Sequence, residues 1–427
     1  DYLRVLNSED YIDKSILNDF EQIESKKNGK KVKVIYDTFD TMENMYNTLK
    51  TGKTTYDLVC ASDYMVQKLV NLNLLEKIDR ENNRLDVYDM NASPFINTRL
   101  QEITWGEDNK LNLYDYSACY MWGTLGILYN PKYSLLKDRG LKEDEIKTAM
   151  ESYDALWNSD YRKVISIKDS MRDTYAIGLI HSFKDELAKA TDESDRQKIF
   201  DYGGEEDPLA KEHINKIKND LLKLRENIFG FEVDSGKEDI VTEKIGIDTA
   251  WSGDAVRAIN TAEEDKGLML YYSIPKEGSN LWFDCWTIQK NANKDLAYDF
   301  LNYLSTPEVA IKNMEEIGYT SSIATDEIAD YYKEIYKPMN ANDSGEYDIT
   351  YFFGDGEPTI LNVDTNYIGR QLSAQFPTKD EADSLMVMKD YGKNNDLILR
   401  MWEQVKYETL PPWAIALFVV EIALIAT

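Results

Sequence analysis

Over the first sixty residues, short apolar runs alternate with stretches whose apolar side chains recur three and four positions apart. YLRVLN at 2–7 predicts a strand, and Ile16, Leu17, Phe20 and Ile23 give 14–27 a helical period. KVKVIY at 31–36 predicts a second strand. TMENMYNTL at 41–49 predicts a helix opened by Thr41, and residues 58–60 predict a third, buried strand. This β-α-β-α-β order with short connections implies parallel strands joined by right-handed crossovers. Ligands of such sheets sit outside the carboxyl ends of the strands, which here places Asp10, Tyr11, Ser62 and Tyr64 on one edge. The first turn, NSEDYID, has no glycine for a pyrophosphate to approach, so a dinucleotide is disfavoured.

The pattern returns further along without a detectable sequence repeat. VISIK at 164–168 predicts a strand followed by Asp169, Arg172 and Asp173. KIGIDTA at 244–250 predicts another, followed by Trp251 and a helix from about Gly253. Between them, residues 184–227 are polar and helix-rich, broken at Gly203, Gly204 and Pro208. The aromatic and glycine-bearing run at 114–130 predicts a strand leaving one lobe for a second, and GSNLWFDCW at 278–286 predicts the crossing back. A double crossing makes a hinge, and the cleft between lobes is a natural small-molecule site.

That second crossing sets Asp284 among Trp282, Phe283 and Trp286. Burying a carboxylate is costly unless a cation meets it, and aromatic faces attract an ammonium by roughly 0.5 to 2 kcal/mol each. The competing explanation is an aspartate that pins a loop beside core tryptophans. Residues 340–358 are expected to form a surface loop. Asn340, Asn342, Ser344 and Gly345 imitate half a calcium loop, but Tyr351 stands where a bidentate glutamate is required.

Composition narrows the chemistry. The 77 acidic residues against 49 basic ones give a net charge of −28, which argues against a phosphate backbone as partner and favours cations, with ordinary acidic solubility as the competing explanation. With two histidines in all, His181 and His213, most zinc and hydrolase constellations fall away, and no cofactor or metal site is read. Cys60, Cys119 and Cys285 are odd in number and widely spaced, so no disulfide framework emerges and small buried thiols are expected. The chain opens at Asp1 without a basic or apolar leader, so any secretion signal is expected upstream. WAIALFVVEIALIAT at 413–427 is almost wholly apolar but shorter than the ~20 residues of a membrane span. A shortened membrane segment and a buried or partner-binding helix both remain open, and Glu421 counts against open lipid.

Seven motifs in order carry a resemblance. They are Asn7-x-x-x-Tyr11, MENMYNTLK, YDLV-x-x-S-x-Y at 56–64, the WG-T-x-G-I-x-x-N run at 122–130, AWSG at 250–253, P-K-E-G-x-x-x-W-x-D at 275–284, and IGY at 317–319. Over residues 3–406 the chain resembles the spermidine/putrescine-binding proteins of polyamine ABC transporters. The resemblance implies an α/β, two-lobed, type II periplasmic-binding-protein-like fold, each lobe a mostly parallel sheet flanked by helices. Lobe 1 is expected over 1–127 plus 284–330 and lobe 2 over 128–283 plus 331–408, with 409–427 as an apolar tail. It also implies a non-enzymatic receptor that delivers a polyamine to permease subunits on the outer face of the membrane, by tether or fusion or in the periplasm. Carried over by position, the ligand carboxylates are Asp284, Asp10 and the Asp169/Asp173 pair. The walls are Tyr11, Tyr64, Trp251, Trp282 and Tyr319, with Ser62 as a polar contact. Ser8 stands in place of a tryptophan and Met388 near a ligand-contacting glutamine, so one end of the cleft is expected to be roomier or less polar. The residues alone leave open a receptor for another cationic or polar solute, and a glycoside hydrolase-like enzyme with two acids about 5 to 9 Å apart.

Overall fold

The structure, a computed structural model, describes residues 1–354 and 356–407. The apolar 413–427 stretch lies outside the described residues. The opening alternation folds as expected into β1 (Tyr2–Ser8), β2 (Lys33–Phe39) and β3 (Leu58–Ser62), with helices Ser15–Asn28 and Met42–Thr51 between them. Thr41 opens the second helix, its hydroxyl accepting the Asn44 N–H at 3.2 Å. Both β2 and β3 pair with β1 in parallel.

A two-residue hairpin, β4 (Thr104–Trp105) with β5 (Leu111–Asn112), precedes the longest strand, β6 (Ala118–Tyr129), buried at every position. Beyond it come β7 (Ile165–Lys168), β8 (Gly230–Glu232) and β9 (Ile247–Trp251), where β7 pairs in parallel with both others. Three further strands, β10 (Tyr271–Ser273), β11 (Leu281–Ile288) and β12 (Thr320–Ser321), pair antiparallel with β6. The sheet order is β2-β1-β3-β11-β6-β9-β7-β8. A parallel block thus lies at each end, with the antiparallel pair β11/β6 between them.

β6 divides its pairing by position. Residues 118–124 bond to β11, whereas 125–129 bond to β9. One strand therefore belongs to both lobes, and the changeover falls at Thr124/Leu125, beside Leu281. Two cores flank it. One holds Val5, Leu58, Phe283 and Trp286, and the other Ile165, Ile177, Leu221 and Ile247. Cys60, Cys119 and Cys285 are free and buried.

One expectation differs from the structure. The 340–358 stretch is not a surface loop: β13 (Ser344–Asp348) pairs antiparallel with β14 (Ile360–Asp364). Tyr347 and Phe352 are buried, and the Tyr347 hydroxyl donates to the Phe376 carbonyl at 2.6 Å. Its polar composition conceals a strand whose apolar partner, ILNVD, comes a dozen residues later. The stretch 331–407 contributes to both cores. Tyr332, Phe352 and Phe376 join the first core, where Phe352 stacks on Trp122, and Met388, Trp402 and Val405 join the second. Among the described residues, no helix is long and apolar enough to cross a membrane.

Candidate functional site

Strand alternation puts Leu281, Phe283 and Cys285 into the core and turns Trp282 and Asp284 to the opposite face, toward the cleft. Asp284 lies opposite Ser62 on β3 and Met121 on β6. The Ser62 hydroxyl donates to Asp284 Oδ1 at 2.7 Å and the Tyr11 hydroxyl donates to Oδ2 at 2.8 Å. Among the described residues, no lysine, arginine or histidine forms an ion pair with this carboxylate. Burial pushes the Asp284 carboxyl above its ordinary range, and the two hydroxyls only partly pull it back. Burial, then the Asp284 charge, hold the Tyr11 phenol far above its usual value, so it stays a donor.

Aromatic rings surround this acid. Tyr11 meets Tyr120 edge-on at 5.7 Å and Tyr319 at 5.7 Å, and Tyr319 in turn meets Trp282 at 5.4 Å. Asn7 and Tyr120 fix the Tyr11 backbone, each side chain donating to its carbonyl at 3.1 Å. The motif glycines make room for the rings. A Cβ at Gly253 would enter the Tyr319 ring, and a Cβ at Gly123 would enter Trp282 and the Ser252 hydroxyl. The Trp282 indole nitrogen is buried without a protein partner.

The second lobe supplies the other wall. The Tyr319 hydroxyl donates to Asp254 Oδ1 at 3.2 Å, on the first turn of helix Ser252–Lys266. Asp254 Oδ2 lies 3.7 Å from Lys168 Nζ, which is 2% exposed, pairs with Glu232 at 2.8 Å and sits 4.6 Å from the Trp251 ring. Burial pulls the Lys168 ammonium down, but Asp248, Asp254 and Glu232 outweigh it and hold the group charged. Asp173 is buried beside Trp251. Burial raises its carboxyl, and the Ser170 hydroxyl and the Trp251 indole oppose the rise. A contact chain therefore runs from Asp284 through Tyr11, Tyr319, Asp254 and Lys168 to Trp251 and Asp173.

Of the residues expected from sequence, Tyr11, Ser62, Trp282, Asp284 and Tyr319 form one contact set, and Trp251 and Asp173 join it across the cleft. Tyr64 faces the same cleft but meets the Arg172 guanidinium, 3.7 Å from its ring centroid. Asp169 pairs with Lys406 at 2.6 Å, so its charge is already met within the chain. Asp10 is exposed in a left-handed conformation (φ 49°) immediately before Tyr11, and its carboxylate makes no hydrogen bond or ion pair among the described residues. Near Met388, Arg172 donates to the carbonyls of Met388 and Lys389 at 3.0 and 2.9 Å. Sequence reasoning missed Asp254, Lys168 and Arg172 as parts of the site. The aspartate four positions after Ala250 in AWSGD was the available signal. Among the described residues, no acidic, histidine or cysteine cluster is arranged to hold a metal ion.

A family model described as bacterial extracellular solute-binding protein matches residues 16–338. The putrescine-binding periplasmic protein of Escherichia coli is 29% identical over 325 residues, spanning 75% of this chain and 77% of that one. The spermidine/putrescine-binding periplasmic protein of Salmonella typhimurium is 28% identical over 365 residues, 84% of this chain and 86% of its own. Among solved structures, the spermidine/putrescine ABC transporter substrate-binding protein of Streptococcus pneumoniae aligns over 95% of this chain and 99% of its own. That match has a TM-score of 0.63 and 26% identity.

Proposed function

From the premise that this chain belongs to the bacterial extracellular solute-binding proteins, we propose that its cleft captures a polyamine and presents it to the permease of an ABC transporter outside the cytoplasm. The observation that carries this is Asp284, a half-buried carboxylate that accepts two hydroxyl hydrogen bonds and meets no cation among the described residues. A polyamine is a chain of methylenes punctuated by ammonium groups, and Tyr11, Tyr319 and Trp282 offer faces for the methylenes while Asp284 takes a charge. The names of the relatives support the same ligand class. Trp251 and Asp173 form the opposite wall, and the lobes close on the guest by bending where β6 changes partners. The protein acts by binding and release, without catalysis, and a membrane tether or fusion holds it near the permease.

Calorimetric titration with putrescine and spermidine at two salt concentrations tests this. Binding of one amine with moderate salt sensitivity is expected, because the charges that meet are buried. No heat from either amine across micromolar to millimolar range would refute it.

A further inference from the structure

β11 and β6 run side by side in opposite directions, and their pairing slips by one residue next to Asp284. Asp284 faces Met121, but Cys285 faces Cys119, so Tyr120 is passed over. Without that bulge Cys285 would face Tyr120. Cys119 and Cys285 are 4% and 0% exposed, and both are free thiols. Burial, then contact with the Cys285 thiol, raise the Cys119 thiol, which donates to the Met121 carbonyl at 3.5 Å. Opposed residues of an antiparallel ladder have Cα atoms about 4.5 to 5.5 Å apart, inside the ~4.4 to 6.8 Å that a disulfide spans.

The pleat excludes the third thiol. On the other side of β11, Cys285 faces Ala61 and Trp286 faces Cys60. Opposed residues turn to one face, so Cys60 shares the face of Trp286 and Asp284, while Cys119 and Cys285 share the other. The segment between Cys119 and Cys285 carries β7, β8, β9 and β10. A bond there closes a loop around most of the second lobe and ties down β11, which the chain reaches only after them.

We propose that Cys119 and Cys285 are a disulfide site that fastens β11 to β6 and leaves Cys60 a thiol. The reading above enters only through the oxidising surroundings of a protein that works outside the cytoplasm. The oxidant is a small disulfide such as oxidised glutathione. One cysteine thiolate attacks it, forming a mixed disulfide and releasing one glutathione thiol. As β11 docks, the second thiolate attacks the cysteine sulfur of that mixed disulfide, forming the protein bond and releasing a second glutathione thiol. Two protein thiols are oxidised, one glutathione disulfide is reduced to two thiols, and the protein's two protons end on them. Burial shields the native thiols, so the exchange belongs to folding, and a chain folded under reduction keeps all three.

The full chain is unfolded in guanidinium with reductant, refolded in oxidised and reduced glutathione, alkylated in guanidinium and mapped by mass spectrometry, beside C60S, C119S and C285S. Wild type is expected to show one alkylated thiol, on Cys60, and one linked pair, Cys119 with Cys285. C60S is expected to keep that link, and C119S and C285S to form none. Three alkylated thiols in wild type that melts cooperatively, or a link through Cys60, overturns the proposal. If refolding fails, the same mapping on the chain secreted into a bacterial periplasm decides by the same criteria. The linked protein is expected to unfold at a urea midpoint about 0.5 M or more above that of the same protein with dithiothreitol. An equal or lower midpoint overturns the fastening role. Failure to bind an amine would leave these results untouched and count against the polyamine reading alone.

Discussion

Replacing Asp284 with Asn separates the binding role of this residue from any structural one. The side chains are nearly isosteric, and both partners are hydroxyls at 2.7 and 2.8 Å that can rotate to donate to the amide oxygen or accept from its nitrogen. Shape and hydrogen bonding therefore survive, and only the charge is lost. A unit pair about 4 Å apart at an effective dielectric near 20 attracts by about 4 kcal/mol, and an amide oxygen retains a hydrogen bond of about 1 to 1.5 kcal/mol to the ammonium. The net loss is about 2 to 3 kcal/mol, or about 30- to 150-fold in affinity. The ligand-free protein responds in the opposite sense. The Asp284 carboxyl is raised in the folded state by burial, so its contribution to stability is fully present below the unfolded value of about 3.8 and is lost as pH rises through the folded value. D284N removes that loss, and its melting temperature is expected to equal or exceed that of wild type at pH 8, with the difference shrinking toward pH 4. Titration calorimetry and thermal melts on the same samples measure both effects. An unchanged affinity, or a D284N protein less stable than wild type at pH 8, would refute the reasoning.

Other outcomes follow from the same geometry. Tyr11→Phe removes one of two donors to a half-buried carboxylate, a bond to a charged group worth about 1.5 to 3 kcal/mol, and is expected to weaken amine binding about tenfold or more. Affinity within a factor of two of wild type would mean the hydroxyl is idle. Gly253→Ala forces a methyl into the Tyr319 ring, an overpacking cost of about 1 to 3 kcal/mol, so reduced affinity is expected with the helix retained by circular dichroism. Burial raises the Cys60 and Cys119 thiols well above their ordinary value, and Cys285 lies among them. A thiol reagent at pH 8 is therefore expected to label none of the three in the native protein and all three in guanidinium, and rapid native labelling would contradict the packing. Lowering pH through the raised Asp284 value protonates the acid the ammonium needs, so affinity is expected to fall as acidification passes that value. A profile that stays flat from neutrality down into the ordinary carboxylate range would remove Asp284 as the anchor.

The parts of the fold readable from sequence are those set by local periodicity. Strands β1 to β3 and the cap at Thr41 depend on neighbours within a few residues, and they fall where alternation and capping place them. The placement of Asp284 was legible for a similar reason, because strand alternation alone pairs it with Trp282 on one face. Contacts made across the cleft were not legible. Whether Asp169 meets a ligand or Lys406 depends on a helix more than two hundred residues away. That Arg172 rather than a solute lies over Tyr64 depends on the separation of two lobes. Asp10 illustrates the remaining limit: on a left-handed turn no period fixes where the side chain points.

β11 is threaded between β3 and β6, so the first parallel block stays unfinished until residues some 220 positions further on have been made. A chain stopped before Leu281 presents two raw sheet edges, one on β3 and one on β6, each a template for adhesion to a neighbour. The nascent sheet must therefore wait, unfinished and in need of protection, until β11 has been made, and its assembly is governed by one late, long-range insertion.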